Sequence, residues 1–314
     1  LINGHLLLFP ALAILILAPE YFLPIRNFAS DYHATLNGKN SFHAVRRILE
    51  MPLPKRPTVE LHQWTGVDEL SLENVEFMYP QNGSELTNLD LTVKGNQKIG
   101  IIGMSGAGKT TLINLLSGFL APTSGQITIQ GKKVTTLDIY DWQKQILYIP
   151  QTPYIFADTL KNNIAFYTPN VSEDKIKEAI HVVGLDNLVA ELPQGLGTMI
   201  GSGHRALSGG QAQRIALARA FLDPERRVMI FDEPTAHLDI ETELELKKRM
   251  LPLMENRLVF FATHRLHWMK QMDYILVLKN GKLIEQGTYQ QLLDEHGYFT
   301  ELMDQTRGKE ITHE

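Results

Sequence analysis

The chain has 314 residues, 44% hydrophobic and 21% charged, with a formal net charge of -5, which suits one large or two modest domains with an ordinary core. That acidic balance argues against nucleic acid as a partner, because phosphate binding by a whole surface shows as a basic excess. Zero cysteine excludes a disulfide framework and a thiolate metal site and is compatible with a reducing cytosol.

The chain opens LINGHLLLFPALAILILAPEYFLPIRNF, with Leu1 rather than an initiator methionine, and reads as a fragment whose amino-terminal part is missing. Leu6 to Ile25 is 20 residues with one charge, Glu20, and at about 1.5 Å per residue it reaches across about 30 Å of hydrocarbon. Pro10, Pro19 and Pro24 interrupt it, and the unbroken apolar run is only Leu6 to Ala18. No basic region precedes the run and no small-residue cleavage pattern follows, which argues against a signal peptide. The stretch is therefore read as a transmembrane helix, kinked or ended near a proline, with a buried soluble helix as the alternative.

From Asn27 to Met51 the apolar residues Phe28, Tyr32 and Leu36, then Phe42, Val45 and Leu49, follow a helical spacing around an expected break at Gly38. This predicts a helix leaving the membrane, so that residues 1–51 close a membrane domain. Pro52, Pro54 and Pro57 stiffen a linker over 52–70. Alternation in SLENVEFMY then marks a strand and the start of a second domain, 71–310. Further strand-like runs, Lys98 to Gly103, Gln126 to Gln130, Ile146 to Ile149, Val228 to Phe231, Leu258 to Ala262 and Tyr274 to Leu278, alternate with helical stretches. That is the pattern of an α/β domain with a largely parallel sheet.

The most specific motif is GMSGAGKT, Gly103 to Thr110, after the apolar strand KIGIIG and before the helical TLINLLSGF. Gly103, Gly106 and Gly108 let successive N–H groups turn inward, and the following helix adds its positive end, so the segment builds a phosphate cradle. Ser105 and Thr111 belong to the same nucleotide-binding stretch. Lys109 is expected to reach the β- and γ-phosphates and the Thr110 hydroxyl to ligate magnesium. A second motif, VMIFDEPT, carries Asp232 and Glu233 to the carboxyl end of a buried strand, where open α/β sheets place ligands. Asp232 suits magnesium and Glu233 suits a general base that polarises the attacking water. Alone, the pair would equally well cap the turn that Pro234 forces.

The discriminating motif is LSGGQAQRIALARA, Leu207 to Ala220, which sets Ser208, Gly209 and Gly210 at the head of a strong helix-forming run. It is a second phosphate-seeking helix terminus, and one nucleotide does not need two on one chain. Over roughly 72–297 the sequence resembles the ABC ATPase family. The resemblance implies a P-loop NTPase cassette of α/β class with a helical subdomain at about 156–221, preceded here by the α-helical transmembrane segment. It also implies ATP and Mg2+ as ligands and a signature loop, Ser208 to Gln211, that closes over ATP held by the opposite cassette. By the same resemblance Tyr79 stacks on adenine and Gln151 senses magnesium and the attacking water. Asp239, in AHLD, addresses the partner's site, and His264, in FFATHRL, contacts the γ-phosphate. Two departures stand out: GSGHRA, Gly201 to Ala206, lacks the acidic residue many exporters carry there, and His237 replaces a commoner small residue.

A membrane segment and a cassette on one polypeptide resemble exporter half-transporters. More narrowly, APEYFLPIRNFASDYHATLNG, DEPTAHLD, LSGGQAQRIALARAFL and ATHRL resemble the D subunit of the CydDC-type exporters. That resemblance implies a cytoplasmic-membrane location with the cassette in the cytosol and a second half-transporter of the C type as heterodimeric partner. It also implies a small-molecule substrate, cysteine or glutathione, exported for cytochrome bd assembly. Multidrug, lipid or haem-related export is the alternative. A soluble ABC ATPase acting on nucleic acid is the reading from another class, opposed by the hydrophobic start and by the short interval from Gln151 to Ser208. A small-molecule kinase would share the cradle but not the signature.

Overall fold

The computed structural model describes residues 8–51, 56–80, 85–236 and 238–311. Leu6, Pro52, Pro54 and His237, all singled out above, lie outside them. The chain divides into two units, Leu1–Lys55 and Arg56–Glu314, taken here one at a time.

The first unit is one helix, α1 (Leu8–Leu49, 42 residues), which continues through Pro19, Pro24 and Gly38. Of the two alternatives at the prolines, a kink or an end, the end is therefore corrected, as is the expected break at Gly38. An interior glycine costs only about 1 kcal/mol relative to alanine, and each proline removes one backbone bond from a long ladder. In a medium without water, unwinding would expose more backbone groups than it frees. The apolar window of α1 has a mean hydropathy of 1.9. At about 1.5 Å per residue the helix is about 63 Å long, twice the hydrocarbon thickness of about 30 Å, so by length and composition it can both cross a membrane and project from it. Its apolar side chains, among them Phe9, Leu15, Ile16 and Phe28, are exposed.

The second unit carries twelve strands and nine further α-helices among the described residues. The strands are β1 (Glu69–Met78), β2 (Glu85–Lys94), β3 (Lys98–Ile102), β4 (Ser124–Ile129), β5 (Lys132–Val134), β6 (Ile146–Ile149), β7 (Asp158–Thr159), β8 (Met199–Ile200), β9 (Val228–Asp232), β10 (Leu258–Ala262), β11 (Tyr274–Lys279) and β12 (Lys282–Gly287). The helices are α2 (Lys109–Leu116), α3 (Tyr140–Lys144), α4 (Leu160–Ile164), α5 (Glu173–Val183), α6 (Asp186–Glu191), α7 (Gly209–Leu222), α8 (Ile240–Met254), α9 (Tyr289–Asp294) and α10 (Tyr298–Ile311).

Ten strands form one sheet in the order β5-β4-β1-β2-β12-β11-β3-β10-β9-β6. The stretch β11-β3-β10-β9-β6 is parallel throughout. The β1-β2, β1-β4 and β4-β5 pairs are antiparallel, so the largely parallel sheet expected from sequence holds for one half only. The parallel strands read as unbroken apolar runs because both faces are covered. Successive residues feed opposite cores: Val259 and Phe261 join the one packed on α5, α7 and α8, and Leu258 and Phe260 join the one containing α2.

Part of the stretch read as linker is laid onto this unit. Trp64 is buried, its Nε1–H donates to Gly95 O (3.0 Å) and its ring meets Trp142 edge-on. The arm between Phe156 and Phe221 consists of α4, α5, α6 and most of α7, with the two-stranded β7-β8 sheet.

Candidate nucleotide site

The cradle is fixed by what cannot fit beside it. A Cβ on Gly103 would lie 2.4 Å from Leu278 O and 2.8 Å from the Ala107 Cβ. Gly108, the N-cap of α2, has φ 104°, where a side chain is strained. Lys109 opens α2 and is buried, 6% exposed. Its Nζ donates to Gly103 O (2.9 Å) and Met104 O (3.3 Å) and sits 3.6 Å from Glu233 Oε1. The ammonium is thus held at the lip of the loop by carbonyls and one carboxylate. Ser105 and Gly106 are exposed on the loop, and Thr111 is half-buried on α2.

The carboxylates arrive on β9, whose residues Val228 to Asp232 are all buried. Thr110 Oγ1–H donates to Asp232 Oδ1 (3.3 Å), so two hard oxygen donors from α2 and β9 lie side by side. Burial raises the Asp232 pKa, the Thr110 hydrogen bond opposes this, and the Glu233 charge adds to the rise. A desolvated carboxylate next to a hydroxyl fits a magnesium ion, which is bound through one or two protein oxygens with phosphates completing its shell.

Glu233 follows at φ 48°, an uncommon left-handed backbone for a residue with a side chain. Its N–H donates to Ala262 O at the end of β10 (2.8 Å), which accounts for the turn. His264 Nδ1 is 2.8 Å from Glu233 Oε2; an ionised carboxylate only accepts, so Nδ1 carries the proton. The hydrogen bond from His264 is the main cause that holds the Glu233 pKa below the ordinary value, outweighing its burial, with Lys109 assisting. Tyr148, on β6, was not singled out from sequence; burial and the Asp232 charge push its pKa up to about 12, so it stays a neutral phenol.

The structure therefore brings Lys109, Thr110, Asp232, Glu233 and His264 together at the carboxyl ends of β3, β9 and β10. The remaining expected residues stand elsewhere. Tyr79 is half-buried and packs edge-on against Phe77, with centroids 4.7 Å apart. Gln151 is exposed in the bend after β6. Ser208 N-caps α7, its Oγ accepting from Gln211 N (3.2 Å) while Gln211 Oε1 accepts from Ser208 N (3.0 Å), a reciprocal capping box. Gly209 is exposed at this helix end. Asp239 N-caps α8 through Oδ1, which accepts from Thr242 N (2.9 Å). Between these two helix starts lies a cavity of about 500 Å³ lined by Ser208, Gln211, Arg214, Asp239 and Thr242.

A protein family described as ABC transporter matches residues 86–236. The glutathione/L-cysteine transport system ATP-binding/permease protein CydC of Bacillus subtilis (strain 168) is 52% identical over 98% of this chain and 54% of its own length. The corresponding protein CydD of Escherichia coli (strain K12) is 33% identical over 92% of this chain and 49% of its own length. Among solved structures, a bacterial Atm1-family ABC exporter with ATP bound superposes with a TM-score of 0.74 at 28% identity, covering 91% of this chain and 50% of that one. The chain spans about half the length of these relatives. The D-subunit resemblance is met by a D relative, but the C relative shares more identity.

Proposed function

We propose that this chain, similar to the ABC transporter family over residues 86–236 and to a CydC relative over 98% of its length, is the membrane-helix and ATPase portion of an ABC exporter subunit. The observation that carries the reading is the convergence of Lys109, Thr110, Asp232, Glu233 and His264 at the carboxyl ends of the parallel strands β3, β9 and β10. In this reading ATP lies with its phosphates on the turn Gly103 to Gly108 and the amino terminus of α2. Lys109 exchanges its carbonyl partners for β- and γ-phosphate oxygens, and Tyr79 supplies a ring for the adenine. Thr110 and Asp232 would hold Mg2+, and Gln151, in its exposed bend, would complete the set. The ion supplies neutralisation of the charge developing on the transferring phosphoryl group.

Glu233 accepts a hydrogen bond from the attacking water and orients it for in-line displacement. Its low pKa keeps it ionised at neutral pH, and His264 fixes its direction. Lys109 stabilises charge on the leaving phosphates. The signature residues Ser208, Gly209, Gly210 and Gln211, with Asp239, act on nucleotide bound by a second cassette. Binding then draws two cassettes together and hydrolysis releases them.

The proposed setting is the cytoplasmic membrane, with α1 in the bilayer and the cassette in the cytosol. The proposed cargo is glutathione or cysteine, supported by the names of the two transport-system relatives. Because the C relative is the more similar, we assign this chain to the C side of the pair and a D-type subunit as its partner, reversing the pairing expected from sequence. The test is uptake of labelled glutathione and cysteine into inverted vesicles holding the full-length complex. MgATP-dependent accumulation, lost in Glu233→Gln, is expected; hydrolysis without uptake of either thiol, but with lipid or haem movement, would overturn the cargo.

A further inference from the structure

One fully buried carboxylate in the cassette has no place in the chemistry above. Glu243, on the first turn of α8, is 1% exposed, yet it is surrounded by donors from two separate loops. Its Oε1 accepts from Thr235 Oγ1 (2.7 Å) and from Trp268 Nε1 (2.7 Å), with His267 Nε2 at 3.4 Å. Its Oε2 accepts from Arg265 Nη1. The other arm of that guanidinium, Nη2, donates to Leu238 O (2.8 Å). Burial alone would raise the Glu243 pKa, but these hydrogen bonds outweigh it and hold the value at about 2.

The donors are informative by position. Thr235 and Leu238 lie between Glu233 and Asp239, on the loop that leaves the candidate base and ends at the N-cap of α8. Arg265 follows His264 directly, and His267 and Trp268 lie in the short 3-10 helix Leu266–Gln271 that comes next. The backbone of Glu243 itself donates to Asp239 O (2.9 Å). A buried charge held by donors on both of its oxygens is restrained from two sides, and removing any partner leaves an unsatisfied group in a low-dielectric interior. A hydrophobic residue of similar size would fill the space, but it would not tie the two loops to each other.

We propose that Glu243 is a positioning residue that clamps the loop Glu233–Asp239 to the segment carrying His264, so that the partner-facing loop and the histidine on the base move as one body. The proposal rests on reading the chain as one of two cassettes that share their nucleotides. Nucleotide contact at His264 is then passed to Asp239, and from there to the opposite site, through Arg265, Glu243 and Thr235. Neither Glu243 nor its donors need to touch ATP.

Steady-state MgATP hydrolysis by the full-length two-subunit complex tests this, with MgATP affinity measured alongside. Glu243→Gln keeps the shape but turns one acceptor into a donor facing donors. The expected result is a split: MgATP affinity within about twofold of wild type, kcat lower by about tenfold or more, and a Hill coefficient for ATP moved towards 1. Thr235→Val, which removes one donor and leaves the charge, should shift the same quantities less. It also serves as the deciding variant if Glu243→Gln does not fold. A merely structural role would lower the melting temperature while leaving kcat and cooperativity unchanged. That outcome in a folded Glu243→Gln complex, or in Thr235→Val alone, would overturn the clamp. No MgATP hydrolysis by the wild-type complex would remove the parent reading, and this inference with it.

Discussion

Two helix amino termini in the cassette are each introduced by small residues, and they differ in what surrounds them. At α2 the helix start faces a buried lysine, two carboxylates and a histidine, all supplied by the same chain. At α7 the start is exposed, and its capping box satisfies Ser208 and Gln211 with each other. Both ends carry the partial positive charge of a helix terminus. Only the first has chemistry around it. On the proposed reading, the difference teaches that a catalytic constellation is legible within one subunit, while a group acting across an interface would look, in its own subunit, like an ordinary cap. Asp239, engaged as the N-cap of α8, has the same appearance.

The comparison is broken most severely at the base. Glu233→Gln in the full-length complex should leave MgATP binding nearly intact and lower turnover by about 100-fold or more, the scale of general-base catalysis. Single-turnover hydrolysis near the wild-type rate would move the base elsewhere. Lys109→Ala comes next. It removes charge-assisted hydrogen bonds of about 1.5–3 kcal/mol, so equilibrium titration should give MgATP affinity at least about tenfold weaker, together with slower hydrolysis.

Titration sharpens the contrast within the α2 site. Burial raises the Asp232 pKa, so acid reaches this carboxylate more readily than an ordinary aspartate, whereas the His264 hydrogen bond lowers that of Glu233 and makes the base resist protonation. The acid limb of the ATPase profile should therefore follow loss of the magnesium site. Raising Mg2+, which competes with that proton, should move the limb to lower pH; a limb indifferent to Mg2+ would assign it to another group. The smallest effect is at Tyr79. Tyr79→Ala should weaken MgATP binding by about 1–3 kcal/mol, the scale of one base–aromatic stack, and Tyr79→Phe should change little. Equal losses for both would point to the hydroxyl.

Sequence reading reached the residues around α2 because their spacing is local and tied to elements that are easy to recognise. The strands expected at Ile146 to Ile149 and Leu258 to Ala262 appear with those bounds. The antiparallel half was less legible: β12 mixes charged and apolar residues and buries only Gly287, so its place between β2 and β11 depends on non-local pairing. In α1, local signals at Gly38, Pro19 and Pro24 suggested interruptions that a long backbone ladder overrides. Glu243 was invisible for a different reason. An acidic residue in the first turn of a helix ordinarily reads as solvated and favourable to the helix dipole, and its Trp268 donor lies 25 positions along the chain.

The shared-site account is tested most directly by the population of closed dimer at saturating MgATP, measured by crosslinking or light scattering of the full-length complex. Glu233→Gln, which binds without turning over, should accumulate the closed form. Ser208→Arg sets a bulky cation at the exposed start of α7 and should leave MgATP binding to its own subunit intact while preventing closure. Opposite populations in the two variants are the predicted result. Equal closure would contradict it and leave the segment Ser208 to Gln211 as nothing more than the cap its hydrogen bonds describe.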